Sequence, residues 1–109
     1  MAAAGRIFGP ELRRYKDPAT ELEVIRLTEP AFTSGFTAPW LRQFTRGGEL
    51  LHWSDRTGSR QAFLMHLRSG ESRQITEAAA LEPRSLCLTP DDRGFLFLDG
   101  ETLHYGSLT

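Results

Sequence analysis

The chain has 109 residues, with 13 basic and 14 acidic side chains, so its formal net charge of −1 lacks the basic excess typical of nucleic-acid binding. Hydrophobic residues make up 39% and charged residues 25%, a globular composition that excludes wholesale disorder. No apolar run reaches the ~20 residues of a membrane span, and Cys87 is the only cysteine, which excludes an internal disulfide. The composition therefore predicts a soluble domain, or a piece of a larger one, most simply cytoplasmic, with no nucleic-acid or membrane partner.

The first predicted elements are an N-terminal arm, residues 1–22, and a short strand at residues 23–28. The strand segment Glu-Val-Ile-Arg-Leu-Thr resembles Arg-Gln-Ile-Thr at residues 73–76, because each follows a turn and ends in an aliphatic residue and a threonine. The later segment is predicted to be the outer strand of a sheet. We therefore expect residues 23–28 to be an outer strand that closes a sheet formed by other residues.

Residues 35–76 are predicted to form a sheet of four antiparallel strands. Glycine-containing turns at residues 47–48, 57–59 and 69–70 separate short apolar runs. Glycine supplies the positive φ that tight hairpins require, whereas a helix crossing these glycines would lose about 1 kcal/mol at each. The predicted strands are residues 35–40, 49–54, 61–67 and 72–76, and residues 76–81 are predicted to connect this sheet to the next.

Residues 84–109 are predicted to repeat the first sheet incompletely. Residues 44–55 align with residues 88–99 at an offset of 44, and residues 62–67 align with residues 103–108 at an offset of 41. A period of about 40–45 residues built from short strands is the range of a β-propeller blade. This second set has three predicted strands, at residues 84–88, 94–98 and 102–107, and lacks the fourth.

Together these elements predict an all-β fold with two blades' worth of four-stranded antiparallel β-propeller sheet. The strand at residues 23–28 is expected to complete the second blade, either in its own chain or in another copy. Two blades cannot close a ring, since propellers have roughly 4–8 blades. We therefore expect self-association, or the missing remainder of a propeller, to cover the open blade faces. A two-sheet sandwich is the alternative fold.

Several segments resemble known propeller repeats. Three of them are similar to the repeat of TolB-type propellers: Trp-Ser-Asp-Arg at residues 53–56, Phe-Leu-Met-His-Leu at 63–67 and Gly-Glu-Ser-Arg-Gln-Ile-Thr at 70–76. Three others resemble the opening of oligogalacturonate lyases: Tyr-Lys-Asp-Pro-Ala-Thr at residues 15–20, Val-Ile-Arg-Leu-Thr at 24–28 and Phe-Thr-Ala-Pro-Trp at 36–40. The chain is thus similar, over nearly its whole length, to the N-terminal part of an oligogalacturonate-lyase-like β-propeller.

This resemblance implies a seven-bladed propeller that cleaves short pectic oligogalacturonates by β-elimination. In that family a divalent metal, typically manganese, neutralises the uronate carboxylate while a base removes the adjacent proton. The family's histidine and glutamine ligands and its base lie in later blades, and residues 30–35 lack the family's histidine-rich stretch. The resemblance therefore implies a catalytically incomplete chain with no catalytic residue, metal site or cofactor of its own. A non-enzymatic TolB-like module for protein interaction or self-assembly is the competing interpretation.

Arginine side chains are the candidate binding groups. Arg56 and Arg60 lie in a predicted turn of the first blade, and guanidinium groups hold carboxylates in bidentate geometry. If the substrate class follows the resemblance, these two residues are expected to contact an acidic oligosaccharide. Trp40 and Trp53 are predicted to pack in the core rather than to stack on sugar rings.

The remaining reactive side chains indicate structure more than chemistry. The three histidines, His52, His66 and His104, have spacings that fit no metal motif, and they are predicted to be ordinary strand residues. Cys87 is predicted to be a buried structural thiol. Ser54 and Asp55 precede a turn, where their side chains are expected to hydrogen-bond to the backbone.

Overall fold

The computed structural model describes residues 5–37 and 41–109, and these residues form three antiparallel sheets. The strands are β1 (Ile7–Phe8), β2 (Arg13–Lys16), β3 (Glu23–Arg26), β4 (Ser34–Gly35), β5 (Glu49–Ser54), β6 (Gln61–His66), β7 (Ser72–Gln74), β8 (Cys87–Leu88), β9 (Gly94–Asp99) and β10 (Thr102–Ser107). In the described residues the only helical element is one 3₁₀ turn, Pro83–Ser85. The prediction of an all-β fold is confirmed.

The first sheet has the strand order β1-β7-β6-β5-β4. Its centre is the pair β5–β6, which runs in register from Glu49 opposite His66 to Ser54 opposite Gln61. The predicted turn between them forms as expected: the Ser54 hydroxyl accepts a hydrogen bond from the Arg56 amide at 3.2 Å, and Gly58 takes φ +100°. The Asp55 side chain also accepts from a backbone amide, that of Thr33, at 2.9 Å. Both Ser54 and Asp55 therefore hydrogen-bond to the backbone, as the sequence predicted.

The second sheet has the strand order β10-β9-β8. Strands β9 and β10 pair along their full length, from Thr102 opposite Asp99 to Ser107 opposite Gly94. The predicted strand at residues 84–88 is shorter than expected, because Pro83 begins a 3₁₀ turn that the Glu82 side chain caps by accepting from the Arg84 amide. Only β8 remains as strand, and it pairs with β9 on the side opposite to β10.

A hydrophobic core joins the first and second sheets. Side chains of a strand alternate between two faces, and Leu51, Ala62 and Leu64 contribute to this core from β5 and β6. The core also contains Ala78, Leu81, Leu86, Leu88 and Phe95. Full burial of an aliphatic or aromatic side chain contributes roughly 1.5–3 kcal/mol to the free energy of folding. Because this cluster draws buried side chains from both sheets, its burial stabilises the contact between them.

The two sheets are structural repeats, but their offset changes by one residue at a turn. Phe44 bridges to Leu50 in the first sheet, and Leu88 pairs with Phe95 in the second. The offset of 44 therefore holds for the strand ends Phe44 and Leu88, whereas the central strands β5 and β9 match at 45. The turn before β9 is one residue longer than the turn before β5, which the sequence alignment did not show.

This one-residue difference decides which faces correspond, because a shift of one residue moves a strand's side chains to the opposite face. The face of the first sheet that packs on the second contains Leu51, Trp53, Ala62 and Leu64. By pairing register, the equivalent residues of the second sheet are Leu96, Leu98, Leu103 and Tyr105. The second sheet thus repeats, on its outer side, the apolar face with which the first sheet packs against it.

The N-terminal residues differ from the prediction of an arm followed by one outer strand. Within the chain, β3 pairs with β2 in a hairpin and not with the edge of β10. The turn is built locally, since the Asp17 carboxylate accepts from the Thr20 amide and hydroxyl and Glu21 takes φ +62°. A short loop closes at lower entropic cost than pairing with a distant strand. Closure of the second sheet by a strand from another copy stays a prediction.

Two further differences involve strand positions. Residues 7–8, assigned to the arm, form β1 and add a fifth strand to the first sheet outside β7. The predicted strand at residues 35–40 is strand only at its start, in β4, and its residues 38–40 lie outside the described residues. In the described part of the chain, no helix has the length and hydropathy of a membrane span.

Candidate functional site

The N-terminal segment, residues 5–37, contributes strands β1 and β4 to the first sheet, and its residues Leu27, Thr28 and Phe36 lie over the face of that sheet that points away from the second sheet. Phe8 contacts Phe63 edge to face, with ring centroids 5.7 Å apart. The backbone pairs at the edge of the sheet, where the Gln74 amide donates to the carbonyl oxygen of Arg6 at 2.9 Å. This contact explains why Phe63 is fully buried although it faces away from the core between the sheets.

Arg56 fastens the N-terminal segment to the first sheet. Its Nη1 lies 2.6 Å from Oε2 of Glu11, and the two side chains are only 17% and 15% exposed. The same guanidinium lies 4.1 Å above the centroid of the Phe8 ring. Glu11 is held from its other side, because its Oε1 accepts from the Glu29 amide at 2.7 Å. The predicted binding residue Arg56 is therefore already paired with a carboxylate of its own chain.

Arg60 has a different environment. Its side chain is exposed, and its guanidinium lies 5.3 Å from the ring centroid of Trp53. The Trp53 indole N–H donates to the carbonyl oxygen of Phe36 at 3.0 Å, which fixes the ring under Arg60. The two predicted arginines thus contact different partners, and of the two only Arg60 keeps a solvent-facing guanidinium. The prediction that they contact an acidic oligosaccharide stays a prediction.

A second polar junction joins the loop before β5 to the turn before β9. Arg42 forms an ion pair with Asp92 and donates from Nη2 to the carbonyl oxygen of Thr89 at 2.7 Å. The Arg46 amide donates to Asp92 Oδ2 at 2.8 Å. This amide, followed by the Arg42 side chain, lowers the pKa of Asp92 below its usual value. The sequence contained one signal for this junction, because Arg46 and Asp92 both lie in the aligned turns of the two repeats.

Gln61 is a buried polar residue that the sequence analysis did not single out. Its Oε1 accepts from the Thr76 hydroxyl at 2.7 Å and the Ala78 amide at 2.9 Å, and its Nε2 donates to the Ala78 carbonyl oxygen at 2.8 Å. Buried polar groups are tolerated when their hydrogen bonds are made. Gln61 therefore holds the start of the connection between the sheets against β6.

A cavity of about 150 Å³ lies between the N-terminal segment and the first sheet. Its lining residues are Leu27, Thr28, Ser34, Phe36, Leu50, His52 and Met65, together with Gly35. Gly35 has no room for a side chain, because a Cβ there would lie 2.9 Å from the Trp53 Nε1. The lining is mostly apolar, so the cavity suits an uncharged occupant better than an ion.

His52 is the one ionisable side chain that lines this cavity in the described structure. It is 5% exposed, it stacks on Phe63, and its Nδ1 has no hydrogen-bond partner among the described residues. Burial, with a smaller contribution from the charge of Arg56, lowers the pKa of His52 to about 4, although a backbone contact at Leu50 acts in the opposite direction. The imidazole is therefore neutral near pH 7. The sequence placed His52 in a strand but contained no signal that the N-terminal segment buries it.

The other reactive side chains do not assemble into a metal centre. In residues 5–37 and 41–109, no group of three or more histidine, cysteine, aspartate or glutamate side chains is placed to hold a metal ion. His104 is exposed and stacks on Phe97 with centroids 5.2 Å apart, and His66 is also exposed. Cys87, predicted to be buried, is partly exposed because β8 borders the uncovered face of the second sheet. The donor set of these residues does not fit manganese.

The described residues therefore form a unit of repeated antiparallel sheets. The N-terminal segment covers one face of the first sheet, and no metal-binding group is found among the described residues. The chain matches no protein-family model and no curated protein sequence. Among solved structures, it is similar to an oligogalacturonate lyase in complex with manganese, with 28% sequence identity and a TM-score of 0.91 over 98% of this chain. It is also similar to the oligogalacturonate lyase of Vibrio parahaemolyticus, with 25% identity and a TM-score of 0.91 over 97% of this chain.

These matches confirm the resemblance to oligogalacturonate lyases that the N-terminal motifs indicated, and with it the propeller-type all-β fold. They also limit its extent, because this chain spans 29% of the length of each of the two lyases. The manganese in one of these structures belongs to that protein. Nothing in the described residues of this chain reproduces a site for it.

Proposed function

We propose that this chain is one portion of an oligogalacturonate-lyase-like propeller and is catalytically incomplete by itself. The observation that carries the proposal is the TM-score of 0.91 over 98% of this chain, at 29% coverage of the manganese-bound lyase. The chain would then supply two sheets and the N-terminal segment as a scaffold, while the reacting groups come from elsewhere in the propeller.

Elementary chemistry supports the absence of independent activity. Removing a proton next to a carboxylate builds negative charge, and an enzyme must stabilise this charge with a metal ion or preorganised donors and supply a base. The buried imidazole of His52 is a weak base, because its pKa is about 4, and Arg56 is already paired with Glu11. Arg60 is the group we propose for contact with a uronate carboxylate, as a binding residue only.

The test is β-elimination of digalacturonate by the isolated chain in the presence of manganese. We expect no unsaturated uronate product above the protein-free control, while an intact oligogalacturonate lyase assayed in parallel forms it. A manganese-dependent rate that a chelator abolishes would contradict the proposal, because it would require a complete site within this chain.

A second candidate function is self-assembly through the outer face of the second sheet. Leu103 and Tyr105 on this face are 66% and 60% exposed, although their equivalents in the first sheet, Ala62 and Leu64, are buried against the second sheet. The face repeats an established sheet-to-sheet contact, so we propose that it receives another sheet of the same repeat.

In a solution of this chain alone, only a second copy can supply that sheet. The opposite face of the first sheet is already partly covered by Leu27, Thr28 and Phe36 of the same chain, so the open apolar face of one copy is expected to meet the same face of another. Such a contact is isologous and gives a twofold dimer. Sedimentation of the isolated chain and of a face variant tests this second candidate.

A further inference from the structure

The face of the first sheet that points away from the second sheet, here called the far face, has an equivalent in the second sheet. Its central residues are Leu50, His52, Phe63 and Met65. By pairing register, Leu50 corresponds to Phe95 of β9, which is 1% exposed in the core where the second sheet packs on the first. The far face therefore repeats the face by which the second sheet docks on its neighbour.

A pair of stacked rings supports this equivalence. His52 and Phe63 lie opposite each other on β5 and β6, with ring centroids 5.7 Å apart and planes inclined by 24°. Phe97 and His104 occupy the equivalent positions on β9 and β10, at 5.2 Å and 15°. The same contact occurs at the same register in both sheets, with the two residue types exchanged. Because Phe97 packs against the core between the sheets, the ring pair of the second sheet belongs to its docking face.

The N-terminal segment shields the far face within the chain. Leu50 and Met65 are each only 2% exposed, and they share the lining of one cavity with Leu27, Thr28 and Phe36. Apolar side chains favour contact with protein over contact with water. Residues 26–33, here called the N-terminal cover, therefore take the place that a neighbouring sheet would take on this face.

Polar contacts hold the N-terminal cover in place. The Glu29 amide donates to Glu11 Oε1 at 2.7 Å, and Glu11 is paired with Arg56 through its other oxygen. The Thr33 amide donates to Asp55 Oδ1 at 2.9 Å. None of residues 26–33 is fully buried, and segments with little buried apolar surface open at a lower free energy than core strands. The cover is therefore expected to open before the sheet beneath it unfolds.

We propose that the far face is a second docking face for another copy of this chain and that the N-terminal cover keeps it closed. When the cover opens, the far face of one copy docks on the outer face of the second sheet of another copy, as the second sheet docks on the first within one chain. Such a contact is heterologous, so it extends from copy to copy into a ring or an open chain. This proposal rests on the self-assembly role proposed above for the outer face.

Leu27→Asp tests the proposal, because it loosens the cover without changing either docking face. A carboxylate at this position would lose water against an apolar wall, so we expect faster hydrogen exchange of the Glu29 amide. Sedimentation velocity should then show a weight-average mass above twice that of one chain. Leu22→Asp, at a 67% exposed position in the loop before β3, is the matched control and should keep the exchange rate and the dimer of the unaltered chain.

A combined variant separates docking from unspecific aggregation. Leu27→Asp together with Leu103→Lys blocks the outer face, where Leu103 is 66% exposed, so we expect species larger than a dimer to disappear. Large species that persist in the combined variant would overturn the proposal. An unaltered chain that is monomeric and insensitive to Leu103→Lys would instead contradict the self-assembly role on which the proposal rests.

Arg56→Met opens the cover by a different route and serves if Leu27→Asp does not fold. It removes the partner of Glu11, and we expect the same increase in Glu29 exchange and in mass. Faster exchange without species larger than a dimer would overturn the proposal and leave the dimer of the unaltered chain in place. Unchanged exchange in both variants would also overturn it, because the cover would not be held by these contacts.

Discussion

Arg56→Met is expected to lower the free energy of unfolding by about 3 kcal/mol, the lower end of the cost of breaking a buried ion pair. The substitution leaves the Glu11 carboxylate, 15% exposed, without its partner at 2.6 Å. It also removes the guanidinium that lies 4.1 Å above Phe8. Because both contacts join the N-terminal segment to the first sheet, chemical denaturation should show this loss together with faster hydrogen exchange in β1.

The control for this variant is Arg60→Met, because Arg60 also lies over an aromatic ring but is exposed and has no ion pair in the described structure. We expect it to change the unfolding free energy by less than about 1 kcal/mol. The double variant Arg56→Met with Glu11→Leu should regain part of the stability, since it leaves no unpaired buried charge. An Arg56→Met chain as stable as the unaltered one would show that the N-terminal segment is not held by this pair.

Acidification is expected to destabilise the fold through His52, by about 3 kcal/mol between pH 7 and pH 4. The folded-state pKa of about 4 lies below the ordinary value of 6.5, so the unfolded chain binds the proton more tightly than the folded chain. The contribution of His52 to stability is therefore complete above pH 6.5 and is lost as the pH falls from 6.5 towards 4. Urea unfolding at a series of pH values measures this loss.

His52→Phe isolates this contribution from that of the carboxylates. Phenylalanine keeps the ring that stacks on Phe63 but cannot be protonated. The carboxylates of Asp17, Asp91 and Asp92, whose pKa values are lowered by hydrogen bonds, titrate in both chains and cancel in the difference. The stability difference between the two chains should grow in favour of the variant as the pH falls through the interval 6.5–4. A difference that stays constant with pH would contradict the burial of a neutral His52.

The elements predicted correctly are those in which turn chemistry and apolar runs agree locally. Glycine turns fixed the ends of β5 and β6, and the pairing of β9 with β10 across Asp99-Gly100 follows the same rule. In these segments the information needed to form the strand lies within about ten residues of it.

The errors occurred where placement depends on distant contacts or on a single residue of register. Within the chain the Asp17–Thr20 turn directs β3 onto β2 and not onto β10, while the pairing of residues 23–28 with another copy stays a prediction. The repeat offset missed the extra residue before β9, and this error assigns Leu51 to the equivalent of Phe95 instead of Leu96. Only coordinates reveal that Leu96, Leu103 and Tyr105 continue an apolar face.

The candidate site shows the same division between local and distant information. The sequence indicated Arg56 as a candidate carboxylate-binding group in a predicted turn, but its partner Glu11 is 45 positions away. The cavity beside His52 forms from residues of the N-terminal segment and of two central strands, and no single motif contains them all. No spacing rule predicts a site that exists only when a distant segment covers a sheet face.

Sedimentation velocity of the isolated chain over a range of concentrations tests most directly the claim that the second sheet presents a repeated, uncovered docking face. We predict a concentration-dependent dimer that Leu103→Lys converts to a monomer, because this residue, 66% exposed, lies on the face. Ile7→Lys, at a similarly exposed position (64%) in the first sheet, should remain dimeric. A cooperatively folded monomer at every concentration, with no difference between the unaltered chain and Leu103→Lys, would contradict the account.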